Sequence, residues 1–129
     1  MRIAAAISAL LATLFLSMTG AQAQRYVASG QTLKLSFFCN VNPDCSAGGI
    51  PTVRVTQQPQ HGRVRVAQTR DFCYFPPSDP RNVCNTRRVS GAAIRYAAPR
   101  NYTGSDSVGV EVIFPSGQMR TGSYNISVR

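Results

Sequence analysis

Acidic residues are scarce in this chain. Asp44, Asp71, Asp79, Asp106 and Glu111 are its only carboxylate side chains, and they are scattered, so acid–base work by paired carboxylates has no obvious pair to use. Imidazole is scarcer still. His61 alone could act as the base that a hydroxyl or thiol nucleophile needs, and it sits in a Gln-His-Gly segment where shaping a turn is the simpler role. Zinc would need reduced cysteines or several imidazoles at ligand spacing. Asp106, alone at the opening of a strand, reads as an acceptor of backbone hydrogen bonds rather than a calcium ligand. No enzymatic activity, metal or cofactor is therefore expected. Long apolar runs are absent beyond residues 3–16, and no stretch keeps helical periodicity for more than a turn, which argues against a helical domain and against a second membrane-directed segment.

What is present begins with a targeting pattern. Met1-Arg2 is a short basic start, residues 3–16 form an apolar run shorter than the roughly 20 residues of a spanning helix, and Ala21-Gln22-Ala23 is a small-x-small cleavage pattern. Residues 1–23 thus read as a signal peptide and residues 24–129 as one mature domain, since about 100 residues bury one core and not two. The expected location is periplasmic or secreted, with neither a transmembrane anchor nor, because no Cys follows the cleavage pattern, a lipid anchor. Cys39, Cys45, Cys73 and Cys84 all lie in the mature part, and an even number in an exported chain reads as two disulfides. Three pairings are open. Cys39 with Cys45 and Cys73 with Cys84 would each close a short polar segment containing Pro and Asn, which favours sequential pairing.

From Gln24 onward the dominant pattern has period two. Leu33, Leu35 and Phe37 alternate with polar residues, as do Val53 and Val55, Val64 and Val66, Ile94 and Tyr96, then Val108 through Phe114, and finally Tyr124, Ile126 and Val128. Six strands follow from this, and Tyr26-Val27 adds a short seventh. Residues 58–62 (Gln-Pro-Gln-His-Gly) and 115–117 (Pro-Ser-Gly) carry turn chemistry and predict hairpins. Several short strands with apolar faces predict an all-β, immunoglobulin-like sandwich of about seven strands. Residues 40–49 read as a polar loop, and residues 67–91 as a long irregular stretch ordered by its cysteines.

Three segments in order carry a resemblance: Pro59-Gln60-His61-Gly62-Arg63-Val64, Ile94-Arg95-Tyr96-Ala97-Ala98-Pro99, and Asn101-Tyr102-Thr103-Gly104-Ser105-Asp106-Ser107-Val108. Together they resemble the bacterial cadherin-like, immunoglobulin-like repeats. The resemblance covers residues 52–128 and implies an extracytoplasmic sandwich used in adhesion, envelope architecture or protein contact without catalysis. Two features depart from the family pattern: a single copy with few acids, where repeats run in tandem and often carry calcium-binding acids, and a Cys-bearing insertion at residues 70–88.

Charge supplies the functional expectation. Fourteen basic residues less Arg2 leave thirteen against five acids, about +8, and Lys34 is the only lysine. Guanidinium offers a planar fork that grips carboxylate or phosphate with two hydrogen bonds. If the valines, Ile94 and Tyr96 point inward, Arg54, Arg63, Arg65 and Arg95 point out and can share one basic face. On the insertion, Arg70, Arg81, Arg87 and Arg88 join Phe72, Tyr74 and Phe75 in the composition of an interaction hot spot. The alternative there is that the aromatics cap the core. The expectation is a monomeric envelope module that binds an acidic protein, glycan or anionic lipid surface, export making nucleic acid a less available partner. A secreted inhibitor that inserts its bridged loop into an enzyme cleft, and a structural part of a surface assembly, are the alternatives.

Overall fold

The computed structural model describes residues 23–129; the signal segment read at residues 1–23 lies outside the described residues except for Ala23. Alternating apolar side chains produce seven strands: β1 (Gln24–Val27), β2 (Thr32–Cys39), β3 (Thr52–Gln57), β4 (Arg63–Phe72), β5 (Arg88–Ala97), β6 (Gly104–Ile113) and β7 (Met119–Val128). They form a four-stranded sheet in the order β1-β7-β6-β3 and a three-stranded sheet in the order β2-β5-β4. Strands two, five and four in one sheet and three, six and seven in the other is the Greek-key arrangement of an immunoglobulin-like sandwich. The first strand lies parallel to β7. No helix among the described residues is long and apolar enough to cross a membrane.

The core lies between the sheets. Leu35, Ile94 and Tyr96 from one sheet meet Val108, Val110, Ile126 and Val128 from the other, and Val53, Val55 and Val64 pack partly buried against them. Inward and outward assignments made from alternation hold for these residues, but the register shift at Lys34/Ser36 packs Phe38, and not Phe37, against the main core. Val66 is 37 % exposed because β4 is an edge strand with nothing beyond it.

The turn at residues 115–117 closes the β6–β7 hairpin as its sequence predicts, with Gly117 at φ +87. Residues 58–62 do something else. They carry the chain from β3, which pairs with β6, to β4, which pairs with β5, so they form a crossing between sheets rather than a hairpin. Alternation reports only which side chains face a core. Both sheets face the same one, so the pattern is identical for either connection.

Residues 67–91 are more regular than expected. The strand β4 runs on to Phe72, β5 begins at Arg88, and a 3-10 helix fills Pro80–Thr86 between them. That helix starts with an Asp79 side chain accepting from the Arg81 backbone N–H and a Pro in its first turn, both standard start signals.

Sequential cysteine pairing is overturned. The bridges are Cys39–Cys73, from the end of β2, and Cys45–Cys84, from the β2–β3 connection, each reaching the β4–β5 insertion. The reason is a fold that local spacing does not report. Asp71 stands opposite Val89 and Lys34 opposite Arg95, positions that a flat sheet would hold about 20 Å apart. Yet the Lys34 ammonium meets the Asp71 carboxylate at 2.7 Å. The far end of the β4–β5 hairpin therefore curls over the outer face of its own sheet. Beneath it lies a second small core of Val41, Cys73, Phe75, Cys84 and Val89, against which Phe37 packs.

Gly91 permits the curl, since a Cβ there would lie 2.3 Å from the Phe38 carbonyl oxygen and 2.5 Å from the Phe37 ring. Backbone cannot yield as a side-chain tip can, so Gly91→Ala should destabilise the domain by about 2–3 kcal/mol, read as a lower denaturation midpoint. Peptide mapping without reduction should recover Cys39 with Cys73 and Cys45 with Cys84. Each bridge closes more than thirty residues, so removing one pair should cost about 2–5 kcal/mol in chemical denaturation.

Candidate functional site

Strand register sorts the arginines. On the three-stranded sheet Arg65 stands directly opposite Arg95, and Arg95 opposite Lys34, giving a row of three cations across β4, β5 and β2. Directly opposed side chains have Cβ atoms about 5 Å apart, where like charges repel. Arg63 flanks the row on the same face of β4, because successive residues of a strand alternate sides. All four are exposed. The only carboxylate on β4 or β5 is Asp71, held below the ordinary carboxylate range by its hydrogen bond from Lys34, by the Phe72 N–H and by nearby charge. It is engaged by Lys34 at one end of the row, leaving Arg65 and Arg95 facing each other.

Arg54 does not join this face. It lies on β3 in the other sheet, opposite Glu111, with their charged groups 4.0 Å apart. Alternation shows that a side chain points outward but not from which sheet. Lys34 belongs to the row instead, and its place depends on the β2–β5 register, which single-residue alternation does not give.

The insertion separates its members. Phe75 is buried in the second core, so it caps a core as the alternative reading has it, although a small one separate from the main core. Tyr74, beside it, is 81 % exposed. The Arg81 guanidinium lies 4.4 Å from the centre of the Phe75 ring and donates to Asp79 through Nε at 3.0 Å and Nη2 at 2.8 Å. That fork holds the Asp79 carboxyl down at about 2. Arg88 lies over the half-exposed Phe72 ring at 5.3 Å, and Arg70 donates to the Arg88 carbonyl at 3.0 Å. Arg87 ends the 3-10 helix, its backbone N–H donating to the Cys84 carbonyl, with its side chain exposed.

A groove of about 630 Å³ runs between this insertion and the β6–β7 hairpin. Phe37, Tyr74, Phe75 and Arg81 line it on the insertion side, and Phe114 with Arg120 line the other. Arg120 stacks over Phe114 at 5.4 Å. Phe114 and Arg120 carry no local motif; only the fold brings them opposite the insertion.

Both surfaces hang from one buried group. Asp106 is 7 % exposed and accepts the backbone N–H groups of Gln60, His61 and Gly62 at 2.8, 3.2 and 2.9 Å, the Tyr96 hydroxyl at 2.7 Å, and its neighbour Ser107 at 3.0 Å. It thus fixes the crossing that delivers β4. Its oxygens face N–H and O–H donors, a surrounding suited to an anion. No three His, Cys, Asp or Glu side chains among the described residues gather as a metal site. The His61 ring stacks on Tyr102 with centroids 4.1 Å apart. A Cβ on Gly62 would lie 2.4 Å from the Tyr96 ring, which is why glycine stands there.

Burial pushes the Asp106 carboxyl upward, but the donors from Gly62, Tyr96, Gln60 and Ser107 together outweigh it and hold the group below its ordinary value. Tyr96 is pushed up in turn, by burial first and by the carboxylate second. A carboxylate whose folded pKa is depressed stabilises fully above its unfolded value of about 3.9 and loses that contribution as pH falls through the folded value. Stability should therefore drop below about pH 4. Asp106→Asn faces several donors with one fewer acceptor and no charge, so it should cost about 2–4 kcal/mol at neutral pH and flatten the acid limb of a denaturation-against-pH curve.

No family model, no curated protein and no solved structure matches this chain, and what its surfaces do follows from their own chemistry.

Proposed function

We propose that the protein is an exported, non-catalytic binding module of the cell envelope that takes an acidic partner on the outer face of the three-stranded sheet. One observation carries this reading: Arg65, Arg95 and Lys34 stand in register across three strands, with Arg63 beside them and a single carboxylate at the end of the row. A fold gains nothing from opposed like charges, and an external anion relieves them. Planar guanidinium forks suit carboxylate or phosphate. The two disulfides fit an oxidising compartment. Kinship with cadherin-like repeats is supported by the meeting of all three motif segments at one point, where the 59–62 turn, Tyr96 and Asp106 bond to one another.

Binding to polyglutamate, to phosphatidylglycerol vesicles and to an acidic glycan across a salt series tests this. Affinity should fall steeply with salt, and Arg65→Glu with Arg95→Glu should lower it about tenfold or more at low ionic strength. Arg54→Glu, on the other sheet, should change it less than about twofold. Affinity indifferent to salt, or equal losses from both sheets, would count against the proposal.

The inhibitor reading keeps one supporting observation, the 81 % exposed Tyr74 on a segment held by two bridges. Rigid loops lose little freedom on binding. An enzyme captured by the wild-type chain and released by Tyr74→Ala would favour it over the basic face.

A further inference from the structure

An open sheet presents unpaired N–H and C=O groups at its edges, and proteins blunt such edges by brevity, bulges, proline or charge. This sandwich has four edge strands: β1 and β3 in one sheet, β2 and β4 in the other. The first is four residues long. Both β2 and β3 carry register shifts, at Lys34/Ser36 and at Val55/Gln57. By contrast β4 has ten residues, no proline and an unbroken register with β5 from Arg63 to Phe72. Its distal end is held by the Lys34–Asp71 ion pair and the Cys39–Cys73 bridge. Its start follows the 60–62 segment that Asp106 holds, and beyond it Arg65, Val66, Ala67 and Gln68 are exposed one after another.

We infer that the proximal edge of β4, Arg63 to Gln68, receives an extended acidic segment of a partner protein by strand addition. This rests on the acidic-partner reading above and gives that partner a conformation. Main-chain hydrogen bonds to β4 supply affinity without regard to sequence, and alternate side chains supply selection. On one face the incoming strand meets Arg63 and Arg65, with Arg95 behind them, so carboxylates at every second position match. On the other face it meets Val66, an apolar side chain 37 % exposed, so the intervening positions are apolar. Six residues of β4 cover about 20 Å, enough for a segment of similar length. A second copy of this chain is a poorer occupant. The one acid on its β4, Asp71, is already engaged by Lys34, and its other charges on that strand are all arginine.

Two synthetic peptides test the inference: an eight-residue sequence alternating Glu with Val, and the same sequence N-methylated at alternate residues on its pairing edge, which keeps the charge and removes main-chain donors. The unmethylated peptide should bind one to one, slow amide hydrogen exchange at residues 63–68, and bind about tenfold or more tighter than the methylated form. Equal binding of the two, or binding without protection of β4, overturns strand addition while leaving an acidic partner on the sheet face intact. Protection of β4 by raising protein concentration alone overturns it in favour of a second copy. Absence of binding by either peptide, by polyglutamate and by anionic vesicles at low salt overturns both proposals together.

Discussion

A buried carboxylate with donors converging on it governs this fold. Asp106 sits on β6 in the larger sheet, Tyr96 on β5 in the smaller one, and the three N–H groups of residues 60–62 belong to the segment that passes between them. A charge so placed is costly to bury unless its lone pairs are used, and here they are used by groups from both sheets and the crossing. Hydrophobic contact alone would let the two sheets slide. The Asp106 contacts fix where β4 starts, and with it the register that sets Arg65 against Arg95.

Much of the architecture was legible because alternation is a strong signal when one face is dry. The strands around Leu35, Val55, Val64, Ile94, Val110 and Ile126 all fall where polar and apolar residues take turns. What stayed hidden was relational. Nothing in residues 58–62 distinguishes a hairpin from a crossing, since Gly62 is required by the approach of the Tyr96 ring, a residue thirty-four positions on. Arg54 and Arg65 look alike in sequence and lie on different sheets. The cysteine pairing failed for a similar reason: short spacing suggested local loops, while the curl at Gly91 brings the ends of β2 and β4 together. Phe75 was legible as an aromatic on a bridged loop, but its burial follows from the same curl.

The insertion then has a physical explanation. A long segment lying on the outer face of a sheet has little apolar surface to bury, and five residues around Cys84 make a small core. Cross-links compensate by restricting the unfolded chain, and both tie the insertion to the end of β2 or the connection that follows it. Stacking of Arg81 on Phe75 and of Arg120 on Phe114 adds polarizable contacts at the margins of the groove. The result is a rim held in place from two sides, with Tyr74 projecting from it.

Two features of β4 that look separate, its regularity and its charge, explain each other. A long unbroken edge without proline invites pairing with any extended chain, its own copies included. Arginine at alternate positions makes neutral and basic segments poor matches while leaving acidic ones favoured, so in the proposed strand addition the residues that protect the edge would also choose what docks there. Lysine would protect equally well. Guanidinium adds a directional fork, which a solubilising face does not need and a site for carboxylates does. Lys34, the single lysine of the chain, is the member of the row already committed to an internal acid, whereas in the proposal the arginines on β4 are left to an external one.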